Sequence, residues 1–206
     1  MPGIADVATE FEAFMKSWEN ERDYLPSSIG ALANGFEGWL KFEFYLWLIR
    51  KHELRGPSEQ HYSDVGVEYR VALDQRWSAM DCKTKQCDLW IRDQDETRYH
   101  FIELKVPFCN TNKGKMFAGA SNDFWYMSRL KAQAEKAATG SVIIVGVNFE
   151  QAQWEQRVAA VETSAGDLRH TTRAGGEVSG AQGLRWAVLT THYPKVTAAL
   201  GEPVSG

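Results

Sequence analysis

The chain has 206 residues, 44% of them hydrophobic and 24% charged, an ordinary globular composition whose length suits one domain. A formal charge of −4 and a pI near 5.8 exclude a protein that coats nucleic acid through overall positive potential, so any such contact must be a local patch. The three cysteines, Cys82, Cys87 and Cys109, are an odd number that fits a reducing, cytoplasmic setting, and no second closely spaced ligand pair follows Cys82 and Cys87 to make a zinc site.

The opening MPGIADVATEFEAF lacks the basic start and apolar stretch of a secretory signal, and no apolar run approaches membrane-spanning length. Over residues 8–23, Phe11, Phe14, Met15 and Trp18 recur at helical spacing with Glu10, Glu12, Lys16 and Glu19 opposite, which predicts an amphipathic helix packed on a core. Residues 28–52 predict a second helix, apolar on nearly every side and stopped by Gly56 and Pro57. Three strands follow: Val65 to Leu73, with strict alternation of Val65, Val67, Tyr69, Val71 and Leu73, then Cys87 to Arg92, then Arg98 to Val106. The short polar connection RDQDET makes the last two a hairpin.

NTNKGKMFAGASN reads as a polar loop leading into a third helix from Asp123 to Ala138, with Asp123 or Ser121 as N-cap. SVIIVGVNF reads as a fully buried strand, and a helix follows from Gln151 to Val161. Residues 164–183, with five glycines, read as a surface loop, and residues 184–191 as the final strand. Helices flanking a central mixed sheet of four to six strands imply a three-layer α/β/α domain over 1–206, with its core at about 28–149.

Asp88 opens one strand of the hairpin, and Glu103 and Lys105 lie two apart in the next, so both point to one face together with Tyr99 and Phe101. His100, Ile102, Leu104 and Val106 face the other way. The hairpin brings Asp88 beside Glu103, and two adjacent carboxylates repel unless a cation lies between them. Mg²⁺ suits that need, since it takes oxygen ligands and is held by one or two carboxylates plus substrate phosphate. Lys105 is placed to orient or deprotonate a water, or to neutralise charge on the phosphate. In the long helix, counting about 100° per residue, Glu43 falls among Leu32, Phe36, Trp39, Leu40, Leu46, Trp47 and Arg50, where a carboxylate needs a partner or a cation. Arg50, Lys41 or Lys51 are alternative partners for Glu43, and Glu37, on another face, is the other candidate acid. Glu68 reads as a sheet-surface residue.

A helix carboxylate, a strand, an Asp at the head of a second strand and Glu-x-Lys in a third, followed by a helix and a buried strand, resemble the PD-(D/E)XK nuclease superfamily over Ser28 to Phe149. Cys87 stands where that motif has its proline. The resemblance implies a restriction-endonuclease-like fold, Asp88, Glu103, Lys105 and Glu43 as catalytic residues, and Mg²⁺ or Mn²⁺ held by Asp88, Glu103, Leu104 and Glu43. The implied activity is hydrolysis of phosphodiesters, in DNA before RNA, by a metal-activated water. For the substrate's phosphates the chain offers Lys113 and Lys115 in the glycine-containing stretch, then Arg129 and Lys131. The resemblance adds Gln133, directed at the metal site. Trp125 and Tyr126 are divided between base stacking and packing, while Phe124 fits the core. The competing reading is a catalytically silent nuclease-fold protein that binds nucleic acid or serves in an assembly, with a homodimer or a partner protein left open.

Overall fold

Ten consecutive buried residues, Ala137–Gly146, form the strand around which the chain is organised. A strand covered on both faces needs no polar alternation, which is why it can run through Val, Ile, Ile and Val without interruption. The computed structural model describes residues 2–21, 36–56, 63–74, 83–94, 97–110, 112–166, 170–179 and 183–194. In chain order the elements are α1 (Val7–Glu21), α2 (Phe36–His52), β1 (Val65–Ala72), β2 (Thr84–Arg92), β3 (Tyr99–Lys105), α3 (Lys113–Met127), the single turn α4 (Ala132–Glu135), β4 (Ala137–Gly146), α5 (Gln151–Thr163), β5 (Thr171–Glu177) and β6 (Arg185–His192). The strands make one mixed sheet in the order β1-β2-β3-β4-β6-β5. β3 and β4 run parallel, and the other neighbours antiparallel.

Helices cover both faces, as the hydrophobic pattern predicts. α1 and α2 bury Phe11, Phe14, Trp18, Leu40 and Phe44 against Leu89, Ile91, Ile102, Leu104 and Val188. On the other side α3 and α5 bury Phe117, Phe124, Met127, Trp154 and Val158 against Cys87, Phe101, Val142, Ile144 and Leu189. Successive residues of β3 and β4 therefore go to opposite layers, the geometry that the period of two demands. The core is wider than residues 28–149, because α1 packs within it and β6 lies inside the sheet. The N-terminal part of the expected second helix, residues 28–35, lies outside the described residues. Among the described residues no helix is long and apolar enough to cross a membrane.

Three expectations need correction. The strict alternation of β1 fails: Val65 joins the α1/α2 layer, whereas Val71 and Leu73 join the other, and β2 changes side in the same way between Leu89 and Cys87. The pairs on either side keep one register, Val67↔Leu89 and Tyr69↔Cys87. Between them stands Glu68, with φ at 57°, a left-handed backbone that costs a non-glycine residue roughly 1–3 kcal/mol. Val67 and Tyr69 are left exposed.

The third helix is Lys113–Met127, about ten residues earlier than expected. Gly114 and Gly119 made the stretch read as a loop, but each faces open space within the helix at a propensity cost of about 1 kcal/mol. Burial of Phe117, Phe124 and Met127 outweighs that, at roughly 1.5–3 kcal/mol for each side chain. Asn112 is the N-cap, and Asp123 lies inside the helix and is buried. Finally, residues 164–183 are not simply a loop, because Thr171–Glu177 is an edge strand paired along β6. Its glycines serve contact: a Cβ on Gly175 would come 2.7 Å from the Trp186 carbonyl oxygen.

Gly140 marks where the end of α3 crosses β4, since a Cβ there would lie 2.1 Å from the Met127 carbonyl oxygen. Gly140→Ala is expected to lower the unfolding free energy by roughly 2 kcal/mol or more. Gly119→Ala, in open space on α3, is expected to raise it by about 0.5–1 kcal/mol. Urea unfolding of both variants checks this, and the reverse order would contradict the packing described.

Candidate active site

Alternation from Phe101 puts Glu103 and Lys105 on the side of β3 that faces α3. Pairing of β2 with β3 runs from Arg92↔Tyr99 to Leu89↔Ile102 and ends one residue short of Asp88 and Glu103. Here a side chain replaces the ladder: the Leu104 N–H donates to Asp88 Oδ2 at 2.8 Å. The strands part at the position where the two acids stand, and the Asp88 carboxylate is locked by the backbone between Glu103 and Lys105.

Two helices close the space. From α2, Glu37 Oε1 lies 3.7 Å from Lys105 Nζ, and its other oxygen accepts the Val106 N–H at 3.4 Å. One turn along, Lys41 Nζ is 3.3 Å from Asp88 Oδ1 and 2.8 Å from Glu68 Oε1. From α3, buried Asp123 places Oδ2 3.3 Å from Lys105 Nζ and Oδ1 3.0 Å from Lys85 Nζ. Lys85 also lies 3.0 Å from Glu103 Oε1, and Lys105 lies 3.7 Å from Glu103 Oε2. Four carboxylates, Glu37, Asp88, Glu103 and Asp123, thus meet three ammonium groups, Lys41, Lys85 and Lys105.

Glu103 is 3% exposed. Its Oε1 forms a buried ion pair with Lys85 Nζ at 3.0 Å and has no second partner among the described residues. Burial pushes the Glu103 carboxyl up to about 8; the charges of Asp88 and Asp123 push the same way, and Lys85 offsets part of the rise. For Lys105 burial works against the charge, but Asp123, Glu37, Glu103 and Asp88 outweigh it and hold its pKa above the ordinary lysine value. Lys85 is likewise raised, with burial opposed by Glu103 and Asp123. Cys87 is a packing residue: burial pushes its thiol up to about 12, leaving it without thiolate character.

The structure therefore brings Asp88, Glu103, Leu104 and Lys105 together and leaves Glu43 out. Glu43 lines a groove with Phe14, Trp18 and Trp47 on the α1 side of α2. The fully buried stripe of α2 is Phe36, Leu40, Phe44 and Leu48, with Glu43 at one edge and Glu37 and Lys41 toward the strands. Glu37, rather than Glu43, is the helix acid at the cluster.

Of the expected phosphate contacts, Arg129 is buried. It donates to the carbonyl oxygens of Trp125 at 2.9 Å and Ala165 at 3.1 Å and lies over the Trp125 ring, so it fastens the end of α3. Lys113 and Lys115 lie in the first turn of α3. Lys131 and Gln133 are exposed around α4, where the Lys131 N–H donates to the Ala72 carbonyl, and Gln133 is not on the helix that carries Asp123. Phe124 is fully buried.

Sequence reasoning missed Asp123, Lys85 and Lys41. Asp123 had a readable signal, a carboxylate inside the stripe Phe117, Ala120, Phe124 and Met127, once the helix is placed correctly. Lys85 shares the face of Cys87 on β2. Lys41 had none, because its two partners come from separate strands.

The donors at the cluster are all oxygens, which suits a hard divalent cation. Among the described residues, no group of three or more His, Cys, Asp and Glu side chains is gathered closely enough to hold an ion. Mg²⁺ does not require one, since two carboxylates with waters and a phosphate suffice. Asp88 and the Oε1 of Glu103, which is held by Lys85 alone, fit that smaller requirement, with Leu104 between them. The chain matches no family model, no curated protein and no solved structure.

Glu103 ionises above about 4.5 in the unfolded chain and only above about 8 in the folded one. The folded state thus binds an extra proton in that window, and stability falls as pH rises through it. Glu103→Gln removes this slope. In chelator-containing buffer its Tm relative to the parent is expected to be higher at pH 8 than at pH 5 by about 2–4 °C or more. An equal offset at both pH values would contradict the assignment.

Proposed function

We infer that this chain is a divalent-cation-dependent nuclease of restriction-endonuclease-like fold, hydrolysing phosphodiester bonds of nucleic acid, with DNA the first substrate to test. The observation that carries this reading is the buried Glu103 carboxylate, one oxygen of which is held by Lys85 alone, beside Asp88 and Lys105 at the point where two paired strands separate. In place of the expected Glu43, the helix acid of the PD-(D/E)XK pattern is assigned to Glu37. Mg²⁺ or Mn²⁺ at Asp88, Glu103 and Leu104 would neutralise phosphate charge and lower the pKa of water.

The chain's own groups divide the remaining work. Asp88 is held in one orientation by the Leu104 N–H and by Lys41. Lys105 is a fixed cation, steadied by Asp123 and Glu37, that offsets negative charge building on the phosphate as water adds to phosphorus and the ester bond breaks. Lys41, Lys85 and Lys105 are each paired with carboxylates, so the local positive charge that an acidic chain needs for phosphate also draws on the exposed Lys115 and Lys131. One observation favours the second reading, a silent binding module: Lys85 already stands beside Glu103 and Asp123, so part of the acidic charge is neutralised from within.

A screen with Mg²⁺ and Mn²⁺ over linear, circular and single-stranded DNA and RNA is expected to show cation-dependent cleavage. Lys105→Ala should reduce it by roughly 10²–10³-fold. Glu37→Gln should reduce it by about 10–100-fold, as for a group orienting a catalytic residue, while Glu43→Gln leaves it unchanged. Undiminished cutting by Lys105→Ala would reject the mechanism, and a loss in Glu43→Gln but not Glu37→Gln would reassign the helix acid. No cleavage of any substrate, with no Mn²⁺ bound, would favour the silent module.

A further inference from the structure

β3 carries two kinds of chemistry in sequence along one face. Glu103 and Lys105 form the ionic half, and Phe101 and Tyr99 precede them at steps of about 7 Å. The aromatic half is not sealed off, although Phe101 itself is buried. Instead Tyr69, Trp90, Tyr99 and Phe101 line an open cavity of ≈ 280 Å³ closed at one side by Glu135. Tyr69 is 45% exposed and lies over Phe101 with ring centroids 6.0 Å apart and planes at 18°. Trp90 meets Tyr99 edge-on at 5.5 Å. Gly66 lets the Trp90 indole lie flat on β1, since a Cβ there would be 2.5 Å from its Nε1. Glu135 is fixed by accepting the Ala72 N–H at 2.8 Å and by a hydrogen bond with Tyr69.

We propose that this aromatic cavity seats an unpaired nucleobase, so that the phosphate of the adjoining nucleotide lies at the Glu103–Lys105 cluster. The proposal rests on the nuclease reading for its substrate and deepens it, because only a single strand, a frayed end or a flipped base can enter. Three features of the site select this occupant. A π-face is what stacks on Tyr69 and Trp90, and base–aromatic stacking accepts any base. The cavity wall carries a carboxylate and an ammonium, Glu135 and Lys136, polar groups of the kind that meet a base edge or a phosphate. Phe101 at the cavity and Glu103 at the cluster are neighbours on one face of β3, about 7 Å apart, a spacing that suits the base and the phosphate of one nucleotide step. The face switch at Glu68 is what brings Tyr69 to the face of Cys87 and Phe101, where it stays exposed.

The test uses the full chain in chelator-containing buffer, so that binding is read without cleavage. Fluorescence anisotropy compares a short labelled single-stranded DNA with an abasic strand of the same length, which keeps the phosphates and lacks the bases, and with a blunt duplex. The parent protein is expected to bind the base-bearing strand roughly tenfold more tightly than either of the others. Tyr69→Ala is expected to lose that preference while still binding the abasic strand as the parent does, and Tyr69→Phe to retain it. Because Tyr69 is an exposed side chain, neither change threatens folding, which circular dichroism confirms. Equal affinity of the parent for base-bearing and abasic strands, no binding of the base-bearing strand, or an unaltered preference in Tyr69→Ala would each overturn the proposal. A negative cleavage screen bears on the nuclease reading alone, because this binding comparison involves neither a cation nor a cut.

Discussion

A carboxylate placed where water cannot reach it has to be neutralised, protonated or matched with a cation, and Glu103 imposes that requirement on everything around it. Its burial follows from the sheet: β3 is an inner strand, and the residues on either side of Glu103 in sequence, Ile102 and Leu104, are core residues of the opposite layer. With those two anchored, Glu103 has no freedom to turn outward. Lys85 from β2, Lys105 from β3 and Asp123 from α3 therefore converge on one point, joining three elements by charge as well as by the apolar layer around them. Yet the lysines do not complete the neutralisation. The carboxyl remains displaced to about 8, and one of its oxygens has Lys85 as its one partner among the described residues. A site arranged only for stability would replace such a group with an apolar one of similar size, often at no loss. Retaining it is the arrangement expected of a group with chemistry to perform.

The neighbouring irregularity serves the same place. At Glu68 and Asp88 the two outer strands exchange faces without losing register, and the β2–β3 ladder ends at the next pair. A regular sheet would bury the space between Asp88 and Glu103 under paired backbone. Here the backbone is held apart by a side-chain carboxylate, and Lys41 bridges Asp88 to Glu68. Local strain of a non-glycine residue at positive φ is tolerated where surrounding contacts over-determine it.

Much of this was legible from residues alone, and the limits are instructive. Strand alternation correctly placed Glu103 and Lys105 on one face and Ile102 and Leu104 on the other, because a period of two is unaffected by what lies further away. The three-layer arrangement followed from the same periodicities, as did the continuous burial of Val142 to Val145. Glycine misled twice, at Gly114 and Gly119 in α3 and at Gly175 and Gly176 in β5, because its tolerance of open space or close contact looks in sequence like a preference for loops. The helix acid was assigned by counting angles around α2. That locates an apolar stripe but does not say which edge of it meets the sheet and which meets α1, and Glu37 and Glu43 lie on those two edges. Lys41 and Lys85 acquire meaning only from partners on other elements, information that no local pattern holds.

The central claim is that the Glu103 cluster takes a divalent cation at Asp88 and Glu103. Crystals grown without divalent ions and then soaked in Mn²⁺ test it directly through anomalous scattering. The account predicts a single strong peak within coordination distance of one oxygen of Asp88 and Oε1 of Glu103, with the Lys85 ammonium moved off that oxygen. Lys85 still against Glu103, and no anomalous peak at the cluster, would contradict it.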